Sequence, residues 1–328
     1  MNEKFLNYSY KYGALVVIFA VFVVFTALNE NFLTYDNIAD ILRSISIVTF
    51  VAIGVTFSQI VDGFDLSVGS TVSLTTVVAA TLMVWYQMPL VVVLTVPLAL
   101  GIIIGLLNSL LIVKVRIPDL LATLAVMYII GGVQKTYTKG FSIYNNMQMS
   151  DGTKAPGKFQ DAFLWIGQGK IAGIPVPVIL MLLAVAVVHV FLTYTRWGRQ
   201  LYVTGGNQEA ARLSGIPVNK VRVAAYVLSG IFAAIGGILF AARVGSGQID
   251  AGAPLLMEAV AAVFVGYSVF GAGKPNVIGT FFGAVLIGVL LNGLTMLNLP
   301  YFAFDIVKGA VLVFALAITF VHLNRRRT

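Results

Sequence analysis

Amides and hydroxyls set inside long apolar runs are the residues of this sequence best placed to do chemistry, and that chemistry is hydrogen bonding to a polar solute. Ser58, Gln59, Asn108, Ser109, Asn292 and Asn298 all interrupt such runs. They can bind hydroxyl groups without bringing a charge into an apolar medium. The same groups can equally hold one helix against another, an interaction worth about 1 kcal/mol each. Carboxylates are scarcer. Asp62 and Asp65 stand three apart, a spacing that would pair them on a helix. Gly63 between them favours a turn instead, so Asp65 is expected to cap a helix starting near Ser67. Asp305 and Lys308, at i and i+3 in the last apolar run, are expected to face and neutralise one another.

Several chemistries lack their residues. The sequence has no cysteine, which excludes a disulfide framework, a thiolate metal site and a cysteine nucleophile. Its two histidines, His189 and His322, are too few for a multi-histidine centre, so no metal site is expected. No nucleophile–base pair stands out, and no catalytic residue is assigned. There is no GxxxxGK[ST] phosphate loop, because Gly273-Lys274 runs into Pro275 and position 268 is serine. The chain is therefore expected to bind no cofactor of its own; if its task is driven by ATP, the ATP and Mg must sit on a separate ATPase. A net charge of +8 would suit a nucleic acid, but the basic residues are spread over short connections, so no nucleic-acid partner is expected.

A membrane is what must position these groups. Of 328 residues, 59% are hydrophobic and 10% charged, whereas soluble domains are about half apolar and about a quarter charged. A bilayer core takes roughly 20 residues of helix to cross. By that ruler the chain is an all-α integral membrane protein with about ten spans. These run Gly13 to Leu28, Ile41 to Val61, Leu66 to Tyr86, Leu90 to Val113, Leu120 to Val133, Pro175 to Tyr194, Val221 to Ala242, Leu255 to Phe270, Val277 to Leu297 and Phe302 to Leu323. The first run follows lysines, as a signal peptide does, but no small-x-small cleavage site follows it, and it reads as a retained helix. The fifth and eighth are short for straight spans and are expected to be broken or partly re-entrant. Small residues at four-residue spacing, Gly101/Gly105, Gly279/Gly283 and Ala233/Gly237, suit close helix contacts, within the chain or at a dimer seam.

Positive charge sets the orientation, since short cytoplasmic connections carry the excess of lysine and arginine. With a cytoplasmic N-terminus, 13 of the 21 basic residues fall inside and seven outside. An even number of spans then puts both termini in the cytoplasm. The whole chain, 1–328, reads as one transmembrane domain with an external loop at 135–174 and a cytoplasmic loop at 195–220.

The cytoplasmic loop carries the most specific signal. In TRWGRQLYVTGGNQEAARLSGIPVNKV, Asn207 suits an N-cap, Glu209 the first turn, Gly215 the C′ position, and Pro217 forbids continuation. A two-turn helix from Gln208 to Ser214 follows, too short to stand alone in water. Ala210, Ala211 and Leu213 give it a weakly apolar surface. It could pack on its own bundle or enter a groove on a soluble partner.

Glu209-Ala210-Ala211, then Gly215, resembles the EAA---G loop of ABC importer permeases, and the longer string is similar to the version in ribose- and galactose-type sugar permeases. GFDLSVGSTVSLTTVVAA, from Gly63, resembles the GIDLSVGS segment of the same permeases. MEAVAAVFVGYSVFGAGKPNVIGTFFG, from Met257, resembles their late Gly-rich stretch, and IVKGAVLV around Lys308 their last span. The resemblance implies a permease subunit in a bacterial cytoplasmic membrane that carries a simple sugar or sugar-like molecule. It also implies a cytoplasmic ATPase, an extracytoplasmic sugar-binding protein and a second permease copy as a homodimer partner, with membrane lipid around this chain. Asn207, Glu209, Ala210, Ala211, Arg212 and Gly215 would then form the element that couples to the ATPase. The family more often has Gly-Gly-Ile where this chain has Asp62-Gly63-Phe64, and Gly-Gly-Thr in place of Gly266-Tyr267-Ser268. If these positions line the pathway, the substrate differs from ribose or galactose. Gln59, Phe64, Asp65, Asn108, Tyr267 and Asn292 are the candidate pathway residues. An ion-gradient-driven secondary transporter is the alternative, though Asp305 and Lys308 supply little of the intramembrane charge it would need.

Overall fold

A computed structural model describes residues 3–149, 151–268, 273–300, 302–311 and 313. Its helices are α1 (Glu3–Leu28), α2 (Tyr35–Ile60), α3 (Ser67–Val84), α4 (Leu90–Ser109), α5 (Asp119–Thr138), α6 (Asp161–Gln168), α7 (Val176–Tyr194), α8 (Arg196–Gly206), α9 (Gln208–Leu213), α10 (Val218–Val244), α11 (Gly252–Ser268) and α12 (Val277–Met296). A π-helical turn, Leu110–Lys114, extends α4. Residues 302–311 are again helical. Among the described residues, seven helices are long and apolar enough to cross a membrane: α2, α3, α4 with its π turn, α5, α7, α10 and α12. Shorter apolar stretches occupy Leu15–Leu28 and Gly252–Tyr267. The remainder of the expected last span, with His322 and Arg325 to Arg327, lies outside the described residues.

The helices α2, α3 and α10 form the centre, and α4, α5 and α7 lie outside them with most of their surface uncovered. Small residues let the central backbones touch. Added β-carbons at Gly101 and Gly105 of α4 would strike the backbone of α10 at Gly230, Tyr226 and Val227. Gly279 and Gly283 of α12 press on Gly266 and Ala262 of α11, and Gly237 of α10 on Val72 and Thr75 of α3. All three small-residue motifs are therefore used inside one chain. Hydroxyls reinforce the contacts: Thr76 Oγ1 donates to the Gly237 carbonyl at 3.0 Å, and Thr56 and Thr280 hydroxyls meet at 2.8 Å.

One expectation about the short spans changes. The fifth is one unbroken helix of 20 residues, because Gln134 and Thr138, which read as loop, are buried and prolong it. The eighth is a 17-residue helix entered through an extended stretch that contains β4 (Ser246–Gly247) and packs Gly247 on α3. There the Gly252 amide donates to Ser73 Oγ at 2.8 Å. The long connection between α5 and α7 is also folded. Its β1 (Ile143–Tyr144) pairs antiparallel with β4, β2 (Lys170–Ile171) pairs with β3 (Ile174–Pro175), and α6 seats Phe163 in the core.

The expected Asp305–Lys308 pair is not formed. Lys308 Nζ instead reaches Glu258 Oε1 of α11 at 2.9 Å, both side chains largely buried, and Asp305 is exposed. A buried carboxylate draws the lysine inward because neither ion has water to solvate it. Removing one partner of such a pair costs about 3–5 kcal/mol. Lys308→Met should therefore lower the thermal unfolding temperature of the purified protein, and adding Glu258→Gln should recover most of the loss. A Lys308→Met protein that melts with the wild type would show that the pair holds nothing.

Candidate functional site

The stretch read as a cytoplasmic loop folds as two helices. Thr195 caps α8, its Oγ1 accepting from the Gly198 amide at 3.1 Å. Asn207 ends α8 and starts α9, its Oδ1 accepting from the Ala210 amide at 2.9 Å. Gly215, at φ +78°, closes α9 in a Schellman motif: its amide donates to the Arg212 carbonyl and the Ile216 amide to the Ala211 carbonyl, both at 3.0 Å. These bonds and the full burial of Ala211 hold a six-residue helix that could not persist alone. Ala211 thus faces its own bundle, so the weakly apolar outer surface is made by Ala210 and by Leu213, which is 82% exposed. Glu209 and Arg212 form an exposed ion pair at 3.1 Å on the same side.

The α8–α9 unit is wired to the bundle. Tyr202 of α8 donates to the Pro275 carbonyl at 2.9 Å, and Gly205 lies on the Ile60 carbonyl at the end of α2. Burial pushes the Tyr202 phenol up to about 12, so it stays a donor at any physiological pH. Beside these contacts a cavity of about 720 Å³ opens at the same end of the bundle. Gln59, Phe64, Asp119, Tyr202, Tyr267 and Lys274 are among its lining residues. Tyr267 donates from its hydroxyl to Gln59 Oε1 at 3.0 Å. The lining combines phenols and an amide with charged groups, the carboxylates of Asp62 and Asp119 and the ammonium of Lys274, so it can hydrogen-bond a polar solute.

One wall of the cavity is latched. Arg222 Nη2 of α10 lies 2.7 Å from each oxygen of Asp119, the first residue of α5, and the Tyr226 hydroxyl also donates to Asp119 Oδ2. The ion pair is mostly shielded, with 14% and 19% of the two side chains exposed. A side chain at Gly63 would collide with Tyr226 and Asp119, so the α2–α3 connection also closes on the latch. The latch therefore joins the starts of α5 and α10 directly beside the cavity, and α9 leads into α10 through Pro217.

A permease family, described as the permease component of the branched-chain amino acid transport system, matches residues 37–316. The chain belongs to this family. The permease is 35% identical over 305 residues to the ribose import permease protein of Escherichia coli K12, covering 93% of this chain and 92% of the relative. Its identity to the ribose import permease protein of Bacillus subtilis is 34%, over 97% and 94% of the two chains. Against the galactose/methyl galactoside import permease protein of Escherichia coli K12 it is 32%, over 100% and 99%. No solved structure matches. Family and apolar helices together make it a multi-pass inner-membrane protein.

Of the six residues expected on its pathway, the permease brings Gln59, Phe64 and Tyr267 together in the cavity. Asp65 and Asn108 are elsewhere, fully enclosed in a network of hydrogen bonds. Asp65 Oδ1 accepts from the Ser67 amide at 3.0 Å and the Ser67 hydroxyl at 2.6 Å, and Oδ2 accepts from Ser229 at 2.7 Å. Asn108 donates to Ser67 Oγ at 2.7 Å. Asp65 thus sits where a helix-capping residue was expected, ahead of α3. Asn292 donates to Asn37 Oδ1 at 2.9 Å, tying α12 to α2 away from the cavity. Asp119, Arg222, Tyr226, Tyr202 and Glu258 were not singled out from the sequence. Arg222 and Tyr226 lie at i and i+4, a legible pairing, but their common partner, Asp119, is 103 residues from one and 107 from the other and leaves no spacing to read.

Proposed function

We propose that this chain is the membrane-spanning subunit of an ATP-driven importer of a simple sugar or sugar-like molecule. It works as a homodimer of about ten-span subunits, both termini cytoplasmic, between an external sugar-binding protein and two cytoplasmic ATPase subunits that hold the ATP and Mg. The chain binds no cofactor. Full-length relatedness to ribose and galactose permeases favours a sugar over the amino acids of the family description.

The observation that carries the reading is the capped α9, presenting Glu209, Ala210 and Leu213 outward while its inner side is fixed to the bundle. It has the shape of a lever. An ATPase that grips Asn207 to Gly215 and closes on ATP moves the start of α10, and Arg222 then drags Asp119 and α5 with it. The wall of the cavity shifts, and access alternates between the two sides.

Proteoliposomes holding the permease, its ATPase and its binding protein test this. Labelled ribose, galactose or another monosaccharide should enter with ATP, and a protonophore should leave uptake intact. Uptake that persists without the ATPase and collapses with the protonophore would identify a secondary transporter instead. Uptake of leucine alone would reject the sugar.

A further inference from the structure

A second cavity, of about 560 Å³, lies at the other end of α5. It is built from the end of α3, which gives Trp85 and Tyr86; the end of α5, which gives Tyr137, Thr138 and Lys139; and the start of the connection that follows, from Phe141 to Met149. A 20-residue helix is about 30 Å long, so α5 runs from one cavity to the other, with Asp119 in the first and Tyr137 in the second.

The aromatic groups here converge. Trp85 and Tyr137 rings lie 5.5 Å apart, tilted by 53°, and Tyr86 sits edge-on to Trp85 at 6.4 Å. The indole is held in place, its Nε1 donating to Met147 Sδ at 3.4 Å, with Met147 buried beneath. Tyr86, Phe141 and Tyr144 are each more than half exposed. Aromatic side chains at a membrane surface ordinarily form a belt facing lipid. These instead close on a concave space whose rim carries Lys139, Ser142 and Gln148. The volume lies within the range of small-molecule sites, about 300–1,000 Å³. One turn below Thr138 on the same face of α5, Gln134 is fully buried and, among the described residues, neither its oxygen nor its nitrogen has a hydrogen-bond partner. It is the next polar side chain on the way inward.

A monosaccharide has the matching chemistry, an apolar face of C–H groups that stacks on an aromatic ring and a rim of hydroxyls that seeks amides, hydroxyls and ammonium groups. We propose that this cavity is the site where a monosaccharide released on the outer side first rests on the permease, its ring against Trp85 and Tyr137 and its hydroxyls toward Ser142, Lys139 and Gln148. The proposal rests on the sugar reading above and adds a defined entry site to it.

The test uses the purified permease in phosphatidylcholine nanodiscs, without ATPase or binding protein. Trp165 and Trp197 are replaced by phenylalanine so that Trp85 alone of the three tryptophans reports. A panel of ribose, galactose, a deoxyhexose and a polyol is titrated, with leucine as the control. One of the sugars should change Trp85 fluorescence saturably and leucine should not. Tyr137→Phe should retain the response, and Tyr137→Ala should weaken it about tenfold. In proteoliposomes with the full system, Tyr137→Ala should raise the KM for sugar more than it lowers the maximal rate. No saturable response to any sugar, in a permease whose ATP-driven sugar uptake is intact, overturns the site and leaves the transport function standing. A response that follows the phospholipid composition and ignores sugar also overturns it. Failure of sugar uptake itself, with leucine carried instead, overturns both.

Discussion

Exchanging the charges of Asp119 and Arg222 should restore most of the transport that either single reversal removes. The two side chains meet at 2.7 Å in a double contact that is largely shielded from water. Arg222→Asp or Asp119→Arg would place like charges against each other there, and an uncompensated buried charge costs about 3–5 kcal/mol. The structure can escape that cost only by parting the starts of α5 and α10, which opens one wall of the cavity. ATP-driven uptake in proteoliposomes should therefore fall by more than about tenfold in each single variant. The exchanged pair re-forms the contact and should recover to within about threefold of wild type, the residue reflecting Tyr226, whose hydroxyl would then face an arginine. Membrane abundance measured in parallel separates lost assembly from lost transport. Wild-type uptake in both single variants, or an exchange no better than the singles, would remove the latch from the mechanism.

What could be read from the sequence was local. The first nine apolar runs fall on helices among the described residues, seven of them long and apolar enough to cross a membrane, because hydropathy needs only about 20 neighbouring residues to declare itself. The ends of α9 were legible for the same reason: Asn207, Gly215 and Pro217 each act within one turn of the chain. Polar residues at the margins misled. Gln134 and Thr138 look like loop on a hydropathy ruler, yet their burial lengthens α5 into an unbroken span. Helix α8 was hidden too, since an amphipathic helix at a membrane surface has too many polar residues to pass as a span. Its signal was the capping Thr195 followed by Gly198, Leu201 and Thr204, the buried face at helical spacing. The latch and the Glu258–Lys308 pair were out of reach, because both join helices distant in sequence and the choice of partner is made by packing. Lys308 had a carboxylate three residues away and took another one. The small-residue motifs were visible but ambiguous until the α4–α10, α11–α12 and α3–α10 contacts assigned them to one chain.

Glu209→Lys combined with Ala210→Trp should uncouple ATP hydrolysis from uptake while leaving the permease itself intact. Both residues are exposed on α9, and among the described residues Glu209 pairs with Arg212 alone, an exposed contact worth at most about 1 kcal/mol. Surface changes of this kind usually shift stability by no more than about 0.5 kcal/mol. Yield, melting temperature and membrane insertion should match wild type, and any functional loss then belongs to a missing partner contact. A lysine in place of a glutamate and an indole in place of a methyl group would present the wrong charge and the wrong volume to a groove fitted to this helix. Sugar uptake should fall to background, and ATP hydrolysis by the associated ATPase should no longer rise when the loaded binding protein is added. The adjacent residue supplies the control. Ala211 is completely buried against the bundle, so Ala211→Trp should overfill that contact and lower stability and uptake together. Unchanged uptake in the Glu209→Lys/Ala210→Trp permease would mean that α9 is not where the ATPase acts, and that the wiring from α9 through α10 to the Asp119 latch serves the fold alone.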